Sequence, residues 1–163
     1  MKTNNPYKSG LEFEKFVEQI YRNNGCRSIR HNVYYPLQAK NEQLRHFQID
    51  LTYVPALGFR RRFVECKFTS ADVYSDFKEV AYFASKLRLL GISPKRGDFV
   101  CNRPFPPDIV LLADSFGLKL IDRDELVGLW KRGRLLGFIP QIKASGFSLE
   151  KLLACLPDQL SMG

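Results

Sequence analysis

The stretch FQIDLTYVPALGFRRRFVECKF, residues 47–68, decides the fold of this chain. Apolar and polar side chains alternate along residues 47–54, and residues 59–68 form a second run rich in β-forming residues. A period of two is the pattern of a strand whose two faces meet different surroundings. Residues 55–58, PALG, are suited to a turn. We therefore predict that the two runs pair as neighbouring antiparallel strands.

Three charged side chains of this hairpin, Asp50, Glu65 and Lys67, form the candidate catalytic centre. Glu65 and Lys67 lie two residues apart, so they project from the same face of their strand. Strand pairing brings Asp50 beside Glu65, and one or two carboxylates with water and substrate phosphate are a common ligand set for Mg²⁺. Lys67 would then hold or help deprotonate the attacking water and stabilise charge on the phosphate. The alternative is an ordinary solvent-exposed sheet face, because D…E-x-K is a loose pattern.

The segments around the hairpin predict a mixed β-sheet flanked by α-helices, which is an α/β fold. A capping-box sequence, Ser9 to Glu12, precedes apolar residues at helical spacing, and Gly25 is placed to end that helix. Residues 36–46 indicate a loop. The remaining patterns predict strands at residues 29–35, 98–102 and 118–121, and helices at residues 73–87, 108–115, 123–130 and 148–156. A central strand covered by helices should not carry Glu65 and Lys67 unless they are paired or functional.

Length and charge indicate one basic domain. The 163 residues suit a single core, which we place at about residues 9–130, with residues 131–163 as a C-terminal extension. The net charge is +8, from 25 Lys and Arg against 17 Asp and Glu, and such a surplus favours polyanions, nucleic acid first. A merely basic, soluble protein is the alternative.

Basic and polar residues near the predicted centre are candidates for DNA binding. Arg61 is foremost because it shares a strand face with Glu65 and Lys67, and its planar fork can bind two phosphate oxygens. Lys86 and other basic residues lie further along the chain. The full set of candidates for DNA binding is Arg61, Arg60, Arg62, Arg45, Lys40 and Gln48.

Cysteine usage and hydropathy predict a cytoplasmic protein. The four cysteines form no C-x-x-C pair and the chain has only two histidines, so a zinc site is not expected. We expect the cysteines to be buried thiols in a reducing compartment. The amino terminus lacks the apolar segment of a signal peptide. No run approaches the roughly 20 apolar residues of a membrane helix, so no membrane partner is expected.

The order of these motifs resembles the restriction-endonuclease-like nucleases, in which a D…(D/E)-x-K hairpin follows an opening helix. More specifically, it resembles the Mrr-type catalytic domain. GLEFEKFV, residues 10–17, is similar to the first helix of that family, and GDFV, residues 97–100, is similar to its next strand. FGLKLID, residues 116–122, is similar to its closing strand. The resemblance covers roughly residues 9–130.

This resemblance implies a restriction-endonuclease-like core and metal-dependent hydrolysis of DNA phosphodiester bonds, of restriction, homing or repair type. It implies Mg²⁺, with Mn²⁺ able to substitute, held by Asp50, Glu65 and the backbone carbonyl of Cys66. Glu14 matches an acidic residue of the first helix that contacts the metal through water; a solvated helix carboxylate is the alternative. A homodimer or higher even assembly would supply the two cuts that a duplex break needs.

The chain also departs from the family pattern. The lead into Asp50 reads HFQI, without the usual glycines or a preceding proline, and residues 36–46 resemble an insertion. These departures concern substrate preference more than cleavage. Holliday-junction resolvases of the same fold, a catalytically inactive DNA-binding module, and a structural protein with a basic surface stay open as alternatives.

Overall fold

Five strands form a single sheet in the computed structural model, which describes residues 6–37 and 45–135. Their order along the chain alternates with helices as the sequence predicts. The elements are α1 (Pro6–Asn23), β1 (Arg27–Leu37), β2 (Arg45–Val54), β3 (Arg62–Lys67), α2 (Phe77–Leu89), β4 (Gly97–Cys101), α3 (Pro107–Phe116), β5 (Lys119–Ile121) and α4 (Arg123–Leu135), with a short 3-10 helix at Pro94–Arg96 before β4. The predicted last helix, residues 148–156, lies outside the described residues.

The sheet is mixed, in spatial order β1-β2-β3-β4-β5. β1 pairs with β2 and β2 with β3 in antiparallel fashion, whereas β3 pairs with β4 and β4 with β5 in parallel fashion. Leu51 pairs with Val64 and Tyr53 with Arg62, so the predicted hairpin is confirmed. The second strand begins at Arg62 rather than at residue 59. Phe59 is 96% exposed, so it lies in a longer turn outside the sheet.

Helices cover both faces of this sheet. On one face, α1 and α4 pack residues such as Phe13, Val17 and Leu126 against Val64 of β3. On the other face, α2 and α3 pack against Phe63 and other sheet residues. Both faces of β3 are therefore buried, which excludes the interpretation of its charged residues as an ordinary solvent-exposed face.

The second strand departs from the predicted alternation at the candidate centre. Leu51 and Tyr53 pack on the α1 face, whereas Ile49, which a regular strand would direct to the same face, packs on the α2 face. The described pairing of β2 with β3 ends at Leu51 and Val64, and Asp50 is the next residue of β2 beyond that pair. The prediction that Ile49, Leu51 and Tyr53 share one face is therefore wrong, because the strand changes its facing at Asp50.

Helix starts also differ from the capping patterns. The first helix begins at Pro6, so Ser9 lies inside it. The second begins at Phe77, and the Asp76 carboxylate accepts hydrogen bonds from the N–H groups of Lys78 and Glu79 at 2.9 and 3.2 Å. An aspartate cap satisfies donors that the first turn leaves unpaired. Among the described residues, no helix combines the length and the apolarity that crossing a membrane requires.

Candidate active site

The candidate centre lies where β2 and β3 separate. Asp50 Oδ2 accepts a hydrogen bond from the Cys66 N–H at 2.8 Å, so the aspartate of one strand is tied to the middle residue of the Glu65-Cys66-Lys67 motif on the next. The Asp50 side chain thus takes a strand N–H at the point where the backbone pairing of the two strands stops. This contact places the three predicted catalytic residues at one position in the fold.

Glu65 belongs to a row of alternating charges on the α2 face. Its carboxylate is buried, with Oε2 2.9 Å from Lys86 Nζ and Oε1 3.4 Å from Lys67 Nζ. Lys67 Nζ also lies 3.0 Å from Glu79 Oε1. The row Glu79, Lys67, Glu65 and Lys86, hereafter the charge row, therefore joins the E-x-K motif to two residues of α2.

Asp50 is a partly buried acid beside other acids. Burial raises its pKa, the nearby Glu65 carboxylate raises it further, and the Cys66 hydrogen bond lowers it in part, which leaves the pKa of Asp50 at about 7. A carboxyl with this pKa is protonated in a large fraction of molecules at neutral pH. A divalent cation between the two acids would favour the charged form, because opposite charge stabilises a carboxylate.

Lys67 keeps its proton under the same conditions. Burial alone would lower the pKa of Lys67, but the Glu65 and Glu79 carboxylates outweigh burial and raise it. A lysine with a raised pKa is an ammonium at neutral pH. Of the two roles predicted for Lys67, orientation of water and stabilisation of negative charge fits this environment, and removal of a proton does not.

Glu14 of α1 faces the same region and contacts His31 of β1. Glu14 Oε2 lies 3.0 Å from His31 Nε2, and His31 Nδ1 lies 3.0 Å from Asn32 Nδ2. Burial raises the pKa of Glu14, the His31 side chain lowers it, and the Glu65 carboxylate raises it further. The charges of Glu14 and Glu65 therefore interact. Glu14 is partly buried beside the other acids, which differs from a freely solvated helix carboxylate.

A metal ion would rest on few protein ligands at this centre. No group of three or more His, Cys, Asp or Glu side chains in residues 6–37 and 45–135 is arranged to hold a metal. Mg²⁺ commonly takes one or two carboxylates and completes its shell with water and substrate. The pair Asp50 and Glu65 fits that donor set, and burial together with the neighbouring Glu65 carboxylate raises the pKa of Asp50, which a cation bound there would oppose.

The arginines of the hairpin have different surroundings. Arg62 forms an ion pair with the fully buried Asp98, which also accepts a hydrogen bond from the Tyr53 hydroxyl at 2.6 Å. Arg61 Nη1 donates to the Ser28 carbonyl and the Thr52 hydroxyl, both at 2.9 Å. Arg60 is exposed. Arg62 was predicted to bind DNA, but its guanidinium is instead paired with a buried carboxylate inside the protein.

The other DNA-binding candidates lie along β2 or beyond the described residues. Gln48 is exposed and donates from Nε2 to Asn32 Oδ1 at 2.8 Å. Arg45 begins β2, but its side chain is outside the described part of the structure, as is Lys40.

Two contacts of the charge row were missed by the sequence reasoning. Lys86 was placed among outlying basic residues, yet it is 6% exposed and binds Glu65 directly. The available signal was its position beside the apolar stripe of α2, three residues after the buried Phe83. Glu79 carried no signal of its own, because an acid in the first turn of a helix is common.

Fold and site together define a class of protein. A mixed sheet between helices, with an aspartate on one central strand and E-x-K on the next, is the architecture of a restriction-endonuclease-like nuclease core. The family model described as restriction endonuclease, for the Mrr catalytic domain, matches residues 8–130. The chain belongs to this family, which confirms the resemblance drawn from its motifs.

Two solved structures with a similar fold are distant from this chain in sequence. A protein of unknown function, AF1548, is 17% identical, with a TM-score of 0.55, over 93% of this chain and 94% of its own. Protein VC1899 from Vibrio cholerae is 21% identical, with a TM-score of 0.54, over 77% of this chain. This chain spans only 32% of VC1899. No curated protein matches the sequence.

Proposed function

We propose that this protein is a Mg²⁺-dependent endodeoxyribonuclease that hydrolyses DNA phosphodiester bonds at Asp50, Glu65 and Lys67. The observation that carries the proposal is the contact of Asp50 with the Cys66 N–H beside the Glu65 carboxylate. It brings the partly buried Asp50 close to the buried Glu65, where the pKa of Asp50 rises to about 7. Membership in a restriction endonuclease family supports cleavage, with DNA as the substrate.

Each residue has a distinct proposed role. Asp50, Glu65 and the Cys66 backbone carbonyl hold Mg²⁺, for which Mn²⁺ can substitute. The cation supplies charge neutralisation at the phosphate and increases the acidity of water. Lys67, as an ammonium, orients the attacking water and stabilises the negative charge that develops on the phosphate. Glu14, held by His31, accepts a hydrogen bond from water near the cation.

DNA would bind across the basic residues beside this centre. Arg60 and Arg61, with Arg45, Lys40 and Gln48, are the proposed contacts, and we leave Arg62 out because it is paired with Asp98. Phosphate contacts by Lys and Arg release counterions, so the affinity should fall steeply with salt.

We further propose one nuclease domain that acts as a homodimer or a higher even assembly, with residues 131–163 as an extension of the core. One centre cuts one phosphodiester bond, whereas a duplex break needs two cuts of opposite polarity, which two-fold symmetry provides. Light scattering with and without DNA tests the assembly. A strict monomer that still makes clean double-strand breaks contradicts it.

Plasmid nicking tests the catalytic proposal. The wild-type protein should nick supercoiled plasmid with Mg²⁺ or Mn²⁺ and not in excess EDTA, and Glu65→Gln should be inactive while still binding DNA. Asp114→Asn removes an exposed carboxylate outside the charge row and serves as the matched control.

A second experiment concerns the DNA substrate. Assays of a four-way junction and a plain duplex of equal length, run in parallel, distinguish a resolvase from a duplex nuclease. Binding without cleavage under all metals would identify an inactive DNA-binding module.

A further inference from the structure

Lys86 is a charged residue in a place where an apolar one would be expected. It is 6% exposed on the α2 face that packs against the sheet, and its ammonium lies 5.4 Å from the centroid of the Tyr82 ring and 5.9 Å from that of Phe83. Removing an ammonium from water is strongly unfavourable unless partners compensate. A methionine of similar length would fill the same space without that cost.

The partners of Lys86 lie on both strands of the candidate centre. Its Nζ donates to Glu65 Oε2 on β3 at 2.9 Å and to the backbone carbonyl of Gln48 on β2 at 3.0 Å. Gln48 is two residues before Asp50. One ammonium thus joins the strand that carries Asp50 to the side chain of Glu65.

This bridge lies where the backbone no longer joins the strands. The described pairing of β2 and β3 ends at Leu51 and Val64, and Asp50 binds the Cys66 N–H just beyond it. The Glu65 carboxylate raises the pKa of Asp50, so the two acids repel each other when both are charged, and a contact that holds their strands together opposes that repulsion. The Lys86 contacts hold the two strands together on the Gln48 side of Asp50.

The same contacts distinguish the two oxygens of Glu65. Oε2 accepts from Lys86 at 2.9 Å, whereas Oε1 has the longer contact, 3.4 Å, with Lys67. Lys86 therefore orients the carboxylate so that Oε1 is the oxygen more available to a cation. A residue that hydrogen-bonds a metal ligand commonly sets the ligand's orientation and affinity.

We propose that Lys86 is a positioning residue of the metal centre, which fixes the Glu65 carboxylate and its spacing from Asp50. The inference rests on the proposed function, because it assigns Lys86 a role at the same cation site. It predicts that Lys86 controls cation affinity more than DNA affinity, since its ammonium is buried and faces the two strands rather than solvent.

Lys86→Met tests this role, with Lys78→Met as the matched control. Lys78 is an exposed lysine of the same helix, so the control has the same chemistry without the contact. Lys86→Met should raise the Mg²⁺ concentration for half-maximal cleavage and the Mg²⁺ dissociation constant from calorimetry by roughly 10- to 100-fold. DNA affinity in EDTA should stay within about twofold, and Lys78→Met should match wild type. A folded Lys86→Met protein with wild-type Mg²⁺ affinity overturns the proposal.

A measurement on the wild-type protein covers the case in which Lys86→Met does not fold. Nuclear magnetic resonance of lysine ammonium groups should show a slowly exchanging Lys86 signal that shifts when Mg²⁺ is added, while the Lys78 signal does not. A Lys86 signal whose chemical shift does not change at saturating Mg²⁺ contradicts the inference. Loss of cleavage by the wild-type protein itself, with the Mg²⁺-induced shift present, would instead count against the proposed nuclease activity alone.

Discussion

Asp98 on β4 and Asp50 on β2 are both aspartates within the sheet, but the protein neutralises only the first. Asp98 is fully buried and is bound by the Arg62 guanidinium and the Tyr53 hydroxyl. Asp50 accepts a backbone N–H from Cys66, and the charges that raise its pKa are carboxylates.

The two surroundings separate a structural acid from a candidate functional one. The Arg62 guanidinium gives Asp98 its counter-charge, and Asp98 in turn raises the pKa of Arg62 despite burial, which acts to lower it. For Asp50, by contrast, burial and the Glu65 carboxylate both raise the pKa and so disfavour the charged form. Perturbed acids of this kind cluster at functional sites, because an external cation or substrate completes them.

The sharpest test of this contrast is Asp50→Asn. Cleavage should fall by roughly 10³-fold or more, because loss of a cation ligand removes several kcal/mol of transition-state stabilisation. The metal-free protein should be at least as stable as wild type, since the neutral amide avoids a buried charge beside Glu65. Turnover assays and urea unfolding measure the two effects. Retained cleavage would exclude Asp50 from the centre.

Asp98→Asn should show the opposite pattern. Removal of one partner leaves the Arg62 charge without its buried counter-ion, which typically destabilises a protein by about 3 kcal/mol or more. Cleavage per folded molecule should be close to wild type, because Asp98 is outside the charge row. If this variant were stable and inactive, the assignment of the two acids would have to be exchanged.

The pH dependence of stability should come from Asp50. Its folded-state pKa of about 7 exceeds the ordinary value of 3.8, so the folded state binds the proton more tightly. The resulting stability is fully present below pH about 3.8 and is lost as pH rises through about 7, by at most roughly 4 kcal/mol. Mg²⁺ should offset this loss, with a larger gain in melting temperature at pH 8 than at pH 5.

Thermal melts with and without Mg²⁺ check this prediction. Asp50→Asn is the control, because it should lose most of the pH dependence between those values, leaving the smaller share of Glu14, and should lose the Mg²⁺ effect. A wild-type profile that does not differ from the Asp50→Asn profile would show that Asp50 titrates normally.

The smallest expected effect distinguishes two neighbouring arginines. Arg60→Ala should weaken DNA binding several-fold and reduce the salt dependence by about one unit, since it removes one phosphate contact. Arg62→Ala should instead lower the melting temperature, because it leaves Asp98 buried without its guanidinium. DNA affinity measured at several salt concentrations tests the role of Arg60. If the dependence of affinity on salt is the same for Arg60→Ala as for wild type, Arg60 lies outside the DNA interface.

Much of the fold was predictable because local periodicity controls it. The alternation in residues 47–54 and the turn residues after them were enough to pair two strands correctly. Helix starts were less predictable, because Asp76 and Ser9 are both acceptable caps by sequence, and packing decides which is used. The alternation failed at Asp50, where the carboxylate, rather than the backbone pairing, takes the Cys66 N–H.

The sequence by itself determined the order of elements, the mixed sheet, the family and the choice of Asp50, Glu65 and Lys67 as candidates. These follow from periodicity and from residue types at short spacing, which are local properties of a chain. Only the tertiary structure decided which charges meet. Arg60, Arg61 and Arg62 were all DNA-binding candidates by sequence, but the packing of β3 beside β4 pairs Arg62 with Asp98. Lys86 follows Glu65 by 21 residues, and only the packing of α2 on the sheet brings them within 2.9 Å.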